Sequence, residues 1–254
     1  MSKLYALWIV CFWLVACGTA PKKPAPPPKP PSEVQAAVPS SPTPAPGSTV
    51  ERIVSLALGE WDYFGRQVVT IAGDEEAIPH VGDWEDEDGD HSERVARYWQ
   101  AVGRSRLSGS DCQQPWSAAF VSWVMTEAGL PESAFPPADA HWVYLDHLMK
   151  ADGPDAPFRP HPIEGYPPRP GDLICATRGP GAPWFDGLPR TAELRYTKLH
   201  CDIVVESDGK TLDAIGGNVR NSVSKTRLQL NPEGHLQPSI KRPWFLVLEN
   251  RLVR

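Results

Sequence analysis

The chain has 254 residues, with 25 lysines and arginines against 31 aspartates and glutamates and a formal net charge of −6. That balance argues against nucleic acid as a partner, since no basic stripe is available to neutralise phosphates. The 29 prolines and five cysteines are placed unevenly, and their positions divide the chain.

Residues 1–16, MSKLYALWIVCFWLVA, hold one early cation, Lys3, and then an apolar run from Leu4 to Ala16. A bilayer span needs about 20 such residues, so this run is too short to cross and reads as a secretory signal peptide. It closes on Leu14-Val15-Ala16-Cys17, which resembles the bacterial lipobox. The resemblance implies that Cys17 is lipidated and becomes the N-terminus and the anchor to the membrane. Gly18 follows it in place of the aspartate of inner-membrane retention, which points to the periplasmic side of the outer membrane in a double-membraned bacterium. Residues 17–47 are then a spacer: eleven of the twenty-seven residues from Pro21 to Gly47 are proline. Extended polyproline geometry, at ~3.1 Å per residue, would carry that stretch about 80 Å. Residues 48–254 remain as one folded domain with enough chain for a substantial core.

Within the domain, STVERIVSLALGEWDYFG opens with a capping box, Ser48 with Glu51. Ile53, Leu56, Ala57, Trp61 and Phe64 follow at helical spacing, and Gly65 stands as a stop. The run HVGDWEDEDGDH, from His80 to His91, is acidic but carries no calcium loop, because placing Gly89 sixth puts Trp84 first and Val95 twelfth. It is expected to be a solvated segment; zinc-ligand spacing is found nowhere in the chain, so no metal is expected. Further helices are predicted over Ser92–Val102, Pro115–Ala128 and Ala138–Ala151, each with a glycine just beyond its end.

The character then changes. DLICATR, LHCDIVVE and TLDAIGG are short and apolar, and the last two flank Asp208-Gly209, a hairpin signal. SVSKTRLQL and WFLVLENRLV add later strands. Helices first and antiparallel strands afterwards make an α+β domain. The connection from Arg178 to Thr197 is long enough to be a lid or binding loop. Cys11 leaves with the signal and Cys17 is modified. Of the remaining three, Cys175 and Cys201 lie on neighbouring predicted strands, so a disulfide between them is expected with Cys112 free, while a pairing that includes Cys112 stays open.

Pro115, at the first helical position, places Ser117 in the first turn, where unpaired amides and the helix dipole favour negative charge. Gln113 or Gln114 could donate to an oxyanion there. The phrases PWSAAFVSWVM, RPGDLIC and HCDIVVESDGKTLDAIGGN are similar to the papain-like NlpC-type and CHAP amidases and endopeptidases of bacterial cell walls. In those, a cysteine opens a helix in a CAAFVSW-like phrase, a PGDL strand follows, and a histidine begins the next strand. PWSAAFVSWVM with HCDIV and IGGNV resembles more closely the family called domain of unknown function 2272, over roughly residues 50 to 240.

The resemblance implies a papain-like fold with N-terminal helices packed on an antiparallel sheet. It puts Ser117 at the nucleophile position and His200 at that of the general base. The group that orients the histidine stays open among Asn218, Asp213 and Asp202, and Gly216 stands where the CHAP pattern has a glutamate. Trp116, Gln114, His141 and Tyr144, the last two in a family-like HxxY phrase, are the candidates for the substrate groove. The implied substrate is an amide in peptidoglycan peptides, with no cofactor. The serine keeps a second class open: a catalytically silent module that binds peptidoglycan or an envelope protein on the same frame. An acyl hydrolase or transferase acting on lipid is a third.

The departure from cysteine has a chemical cost. A thiol titrates near ~8.5 and a helix terminus with a cationic histidine can bring it to neutrality. An aliphatic hydroxyl starts far higher, so Ser117 could act only if an imidazole took its proton during the attack.

Overall fold

The computed structural model describes residues 47–252, apart from 152 and 180. The expected signal peptide, the anchor Cys17 and all of the spacer but Gly47 therefore lie outside the described residues. Helix α1 (Thr49–Tyr63) begins where the sequence places its cap: the Ser48 side chain accepts from the Glu51 N–H at 3.1 Å. It ends before Gly65, whose φ of +68° suits a residue without Cβ. A hairpin follows, β1 (Val68–Ala72) and β2 (Glu75–His80), turning over Gly73 and Asp74. Helix α2 (Gly89–Ala101) starts three residues ahead of expectation because Asp88 caps it, accepting from the His91 N–H at 2.9 Å.

Helices α3 (Ser117–Glu127) and α4 (His141–Lys150) complete the main helical set. Then come β3 (Phe158–His161), β4 (Leu173–Thr177), a one-turn helix α5 (Thr191–Leu194) in the long loop, β5 (Leu199–Ser207), β6 (Thr211–Val219), β7 (Ser222–Gln229) and β8 (Trp244–Asn250). The described strands form one eight-stranded sheet in the order β2-β1-β7-β6-β5-β4-β8-β3. Its pairs are antiparallel except β1 with β7, which run parallel. The domain is α+β, although β1 and β2 interrupt the expected order of helices before strands.

Strand alternation divides the core. Leu173, Cys175, Cys201 and Ile203 pack with Ile53, Phe120, Tyr144 and Phe245 in the larger cluster. Ile174, Ala176 and Val204, one residue out of phase, join Leu212, Trp244 and Val247 in a second. With both faces covered, β4 is buried throughout, and each of its larger side chains stabilises by about 1.5–3 kcal/mol. Cys175 and Cys201 are register partners in β4 and β5 and are joined by a disulfide.

Gly217 on β6 lets α3 press onto the sheet. A Cβ there would lie 2.5 Å from Phe120 Cβ and 2.6 Å from Trp116 Cζ3, closer than real contacts allow. The start of α3 is therefore set against β6 by the missing side chain. Among the described residues no helix is long and apolar enough to cross a membrane.

Candidate active site

Helix α3 starts at Ser117, two residues beyond the expected Pro115, because Trp116 has the non-helical dihedrals φ −98° and ψ 9°. Ser117 is thus the first helical residue, where backbone N–H groups have no partner within the helix. Its side chain is 2% exposed, and its Oγ lies 2.7 Å from Nε2 of His141, the first residue of α4. One turn on, the Tyr144 hydroxyl meets His141 Nδ1. Two helix starts thus face each other. Ser122 fixes this: its Oγ donates to the Ala138 carbonyl at 3.1 Å and accepts from the Ala138 N–H at 3.0 Å, clamping the chain that enters α4 onto α3.

The expected pairing of Ser117 with His200 is corrected. The imidazole bonded to the serine is that of His141, while Nε2 of His200, near the start of β5, is 2.7 Å from Asp202 Oδ1. The His141 and His200 rings meet edge to face, with centroids 5.7 Å apart. The group that orients His200 is Asp202, which leaves the other two candidates to different work. Asn218 donates from Nδ2 to Glu85 Oε2 at 2.9 Å. Asp213 accepts two hydrogen bonds from Arg227, both 2.7 Å, and lies 3.1 Å from Lys225 Nζ. Burial alone would raise the pKa of Asp213, but these two cations outweigh it and hold the carboxylate below its ordinary range.

A cleft of about 580 Å³ opens at the serine, walled among others by His141, Trp142, Arg178, Lys198 and Asn218. Of the groove candidates, His141 lines it. Tyr144 is fully buried, packed on Phe135, and meets His141 at Nδ1, the ring nitrogen that does not face Ser117. Gln113, not Gln114, borders the cleft. Trp116 turns inward, stacked on Tyr98 with ring centroids 5.6 Å apart and donating its indole N–H to Glu85.

Glu85 is the residue that composition concealed. It belongs to the run expected to be solvated, yet it is 1% exposed. One oxygen accepts from Trp116 and Asn218, which ties the residue before the serine to the end of β6. Its other oxygen has no hydrogen-bond partner among the described residues. Burial outweighs the two donors and raises its pKa.

Electrostatics favour a neutral His141. Burial pushes its pKa well below the histidine range, and the charges of His200 and Arg178 act the same way. Burial, with the Asp202 charge behind it, raises the Tyr144 phenol. A neutral His141 with its proton on Nδ1 can donate to the Tyr144 oxygen and accept the Ser117 proton at Nε2. That is the arrangement a general base requires. Among the described residues no group of three or more histidine, cysteine, aspartate or glutamate side chains could hold a metal ion.

The fold and site define an α+β domain with a serine–histidine cleft between two helix starts and a sheet. The chain belongs to the DUF2272 family, described as an uncharacterized protein conserved in bacteria, which matches residues 79–250. None of the curated proteins and none of the solved structures compared with the chain matches it.

Proposed function

We propose that the domain is a serine hydrolase on a papain-like frame, acting on amide bonds of peptidoglycan peptides and held at the periplasmic side of the outer membrane by a lipid on Cys17. The observation that carries the chemistry is the 2.7 Å approach of Ser117 Oγ to His141 Nε2 at the cleft. An aliphatic hydroxyl is too weak an acid to rest as an alkoxide, so the proton must leave as the oxygen attacks. His141, neutral through burial, takes it at Nε2. The serine oxygen bonds to the acyl carbon, whose oxygen becomes negative and is received by unpaired amides of the first turn of α3. Collapse expels the amine with the proton from His141, and water repeats the sequence on the ester.

In this mechanism His200 and Asp202 are positioning residues. Asp202 holds His200, whose ring packs against that of His141, and its charge acts on Tyr144, the partner of His141 Nδ1. The alternative, a silent module that binds wall peptide or an envelope protein, draws support from the 2% exposure of Ser117, since attack requires the hydroxyl to be uncovered.

Incubation of the protein with peptidoglycan, followed by mass spectrometry, separates the two. Hydrolysis predicts released fragments that Ser117→Ala and His141→Ala both abolish; sedimentation with sacculi and no fragments would leave the module. Cys17→Ala should end incorporation of labelled lipid, and continued labelling would remove the anchor.

A further inference from the structure

Arg178 follows β4 directly and lines the same cleft as Ser117. Its backbone N–H donates to the Lys198 carbonyl at 2.9 Å. On its other side the Thr177 N–H donates to the Pro243 carbonyl at 3.2 Å, next to Arg242. Lys198, Arg178 and Arg242 therefore stand side by side at one end of three neighbouring strands, β5, β4 and β8.

Arg94, partly buried like Arg178, is matched by Glu60. Among the described residues Arg178 has no hydrogen-bond or ion-pair partner for its guanidinium, and Arg242 Nε is buried without an acceptor. Asp139, the acid among the cleft-lining residues, is held 3.3 Å from Arg104. A guanidinium withdrawn from water with no anion beside it is unfavourable. Burial and the neighbouring Arg242 charge both weigh against the cation of Arg178, lowering its pKa. Such a cost persists where a ligand supplies the missing charge, and the planar fork of arginine matches a carboxylate with two parallel hydrogen bonds.

We propose that the Ser117 cleft takes a substrate bearing a free carboxylate, and that Arg178 seats it. The proposal rests on reading the cleft as a substrate site and narrows that site to acidic peptides and acyl donors. Lys198, exposed at the rim, adds long-range attraction that salt screens. Seating by Arg178 would also fix which end of the substrate lies at the serine.

The test is calorimetric titration of the full chain with N-acetyl-alanyl-alanine and with its C-terminal amide. The acid should bind about ten- to a hundredfold more tightly, as a charge-assisted pair allows. Arg178→Gln should bring the acid to the level of the amide. Arg178→Lys, which keeps the charge and loses the fork, should restore part of the difference and serves if the first variant does not fold. Ser117→Ala should keep the preference, because binding needs no turnover. Equal affinities, a preference that survives Arg178→Gln, no binding of the acid, or inorganic phosphate bound more tightly than the acid would each overturn the proposal. Acid-specific binding without peptidoglycan cleavage would instead overturn only the hydrolase reading.

Discussion

The carboxylate of Asp202 stands in the space that a side chain at Gly216 would need. A Cβ on residue 216 would lie 1.7 Å from Asp202 Oδ1 and 3.0 Å from His200 Nε2. The acid that holds His200 thus comes from two residues along its own strand, and the bare position on the neighbouring strand gives it room. Gly216→Ala should expel the carboxylate from its hydrogen bond and lower stability by about 1–3 kcal/mol, the range for overpacking a filled core. Asp202→Asn, which keeps the shape, should cost less. Denaturant midpoints measured for both, with an unchanged slope, check the order; equal losses would mean that crowding is not the cause.

His141 should matter more to turnover than His200. Replacing either histidine by glutamine tests this, with His141→Gln reducing kcat by about 10²–10⁴-fold, the span of general-base catalysis, and His200→Gln reducing it less. The reverse order would return the base to β5. Because the pKa of His141 is lowered by burial, the acid limb of kcat/KM should fall below the ordinary histidine value of about 6.5. A limb at or above that value would contradict a buried, neutral base.

The same shift has a consequence for stability. His141 binds its proton less readily folded than unfolded, so its contribution is complete above the unfolded pKa and declines as pH falls through about 6.5. Glu85 has the opposite sign. Its raised pKa means that the folded state binds a proton more readily than the unfolded chain. Stability from this group is therefore greatest below the ordinary glutamate value of about 4.3 and is lost as pH climbs through the raised one. Thermal melts of wild type and Glu85→Gln across that interval should converge at low pH and differ in slope above it. Parallel curves would show that Glu85 is not titrating there.

Ser122→Ala should remove the clamp on Ala138 and leave a buried N–H and carbonyl unsatisfied, costing about 1–3 kcal/mol. It should also loosen His141 without touching it. The expected signature is a fall in kcat with the stability loss, checked by hydrolysis and urea titration of one preparation; full activity would detach α4 placement from this serine.

Much of this was legible in the chain. Ser48, Gly65 and the 3.6-residue spacing between them delimit α1, and Asp208-Gly209 joins β5 to β6. Strand β2 was not: EEAIPH holds two glutamates, a proline and a histidine, and is mostly exposed, so it shows none of the alternation that marks a half-buried strand. Strand β3, four residues with a proline, is likewise an edge. The site was partly readable. Ser117 and the His141–Tyr144 spacing are visible in the letters, but their meeting depends on Ser122 binding Ala138, a contact between segments that no periodicity reports. Glu85 could not be told from its acidic neighbours, because burial of a single member of the run is decided by Trp116 and Asn218, distant in sequence.

The parallel joining of β1 and β7 bears on how the polypeptide is made. Residues 68–71 lie beside residues 225–228, a loop of about 150 residues. The β1–β2 hairpin can zip up early, but its place in the sheet exists only once nearly all of the domain has emerged. A nascent or truncated chain ending before Ser222 would display an unmatched strand edge on β1 and another on β6, an invitation to aggregate. Assembly only after synthesis is complete would avoid that hazard.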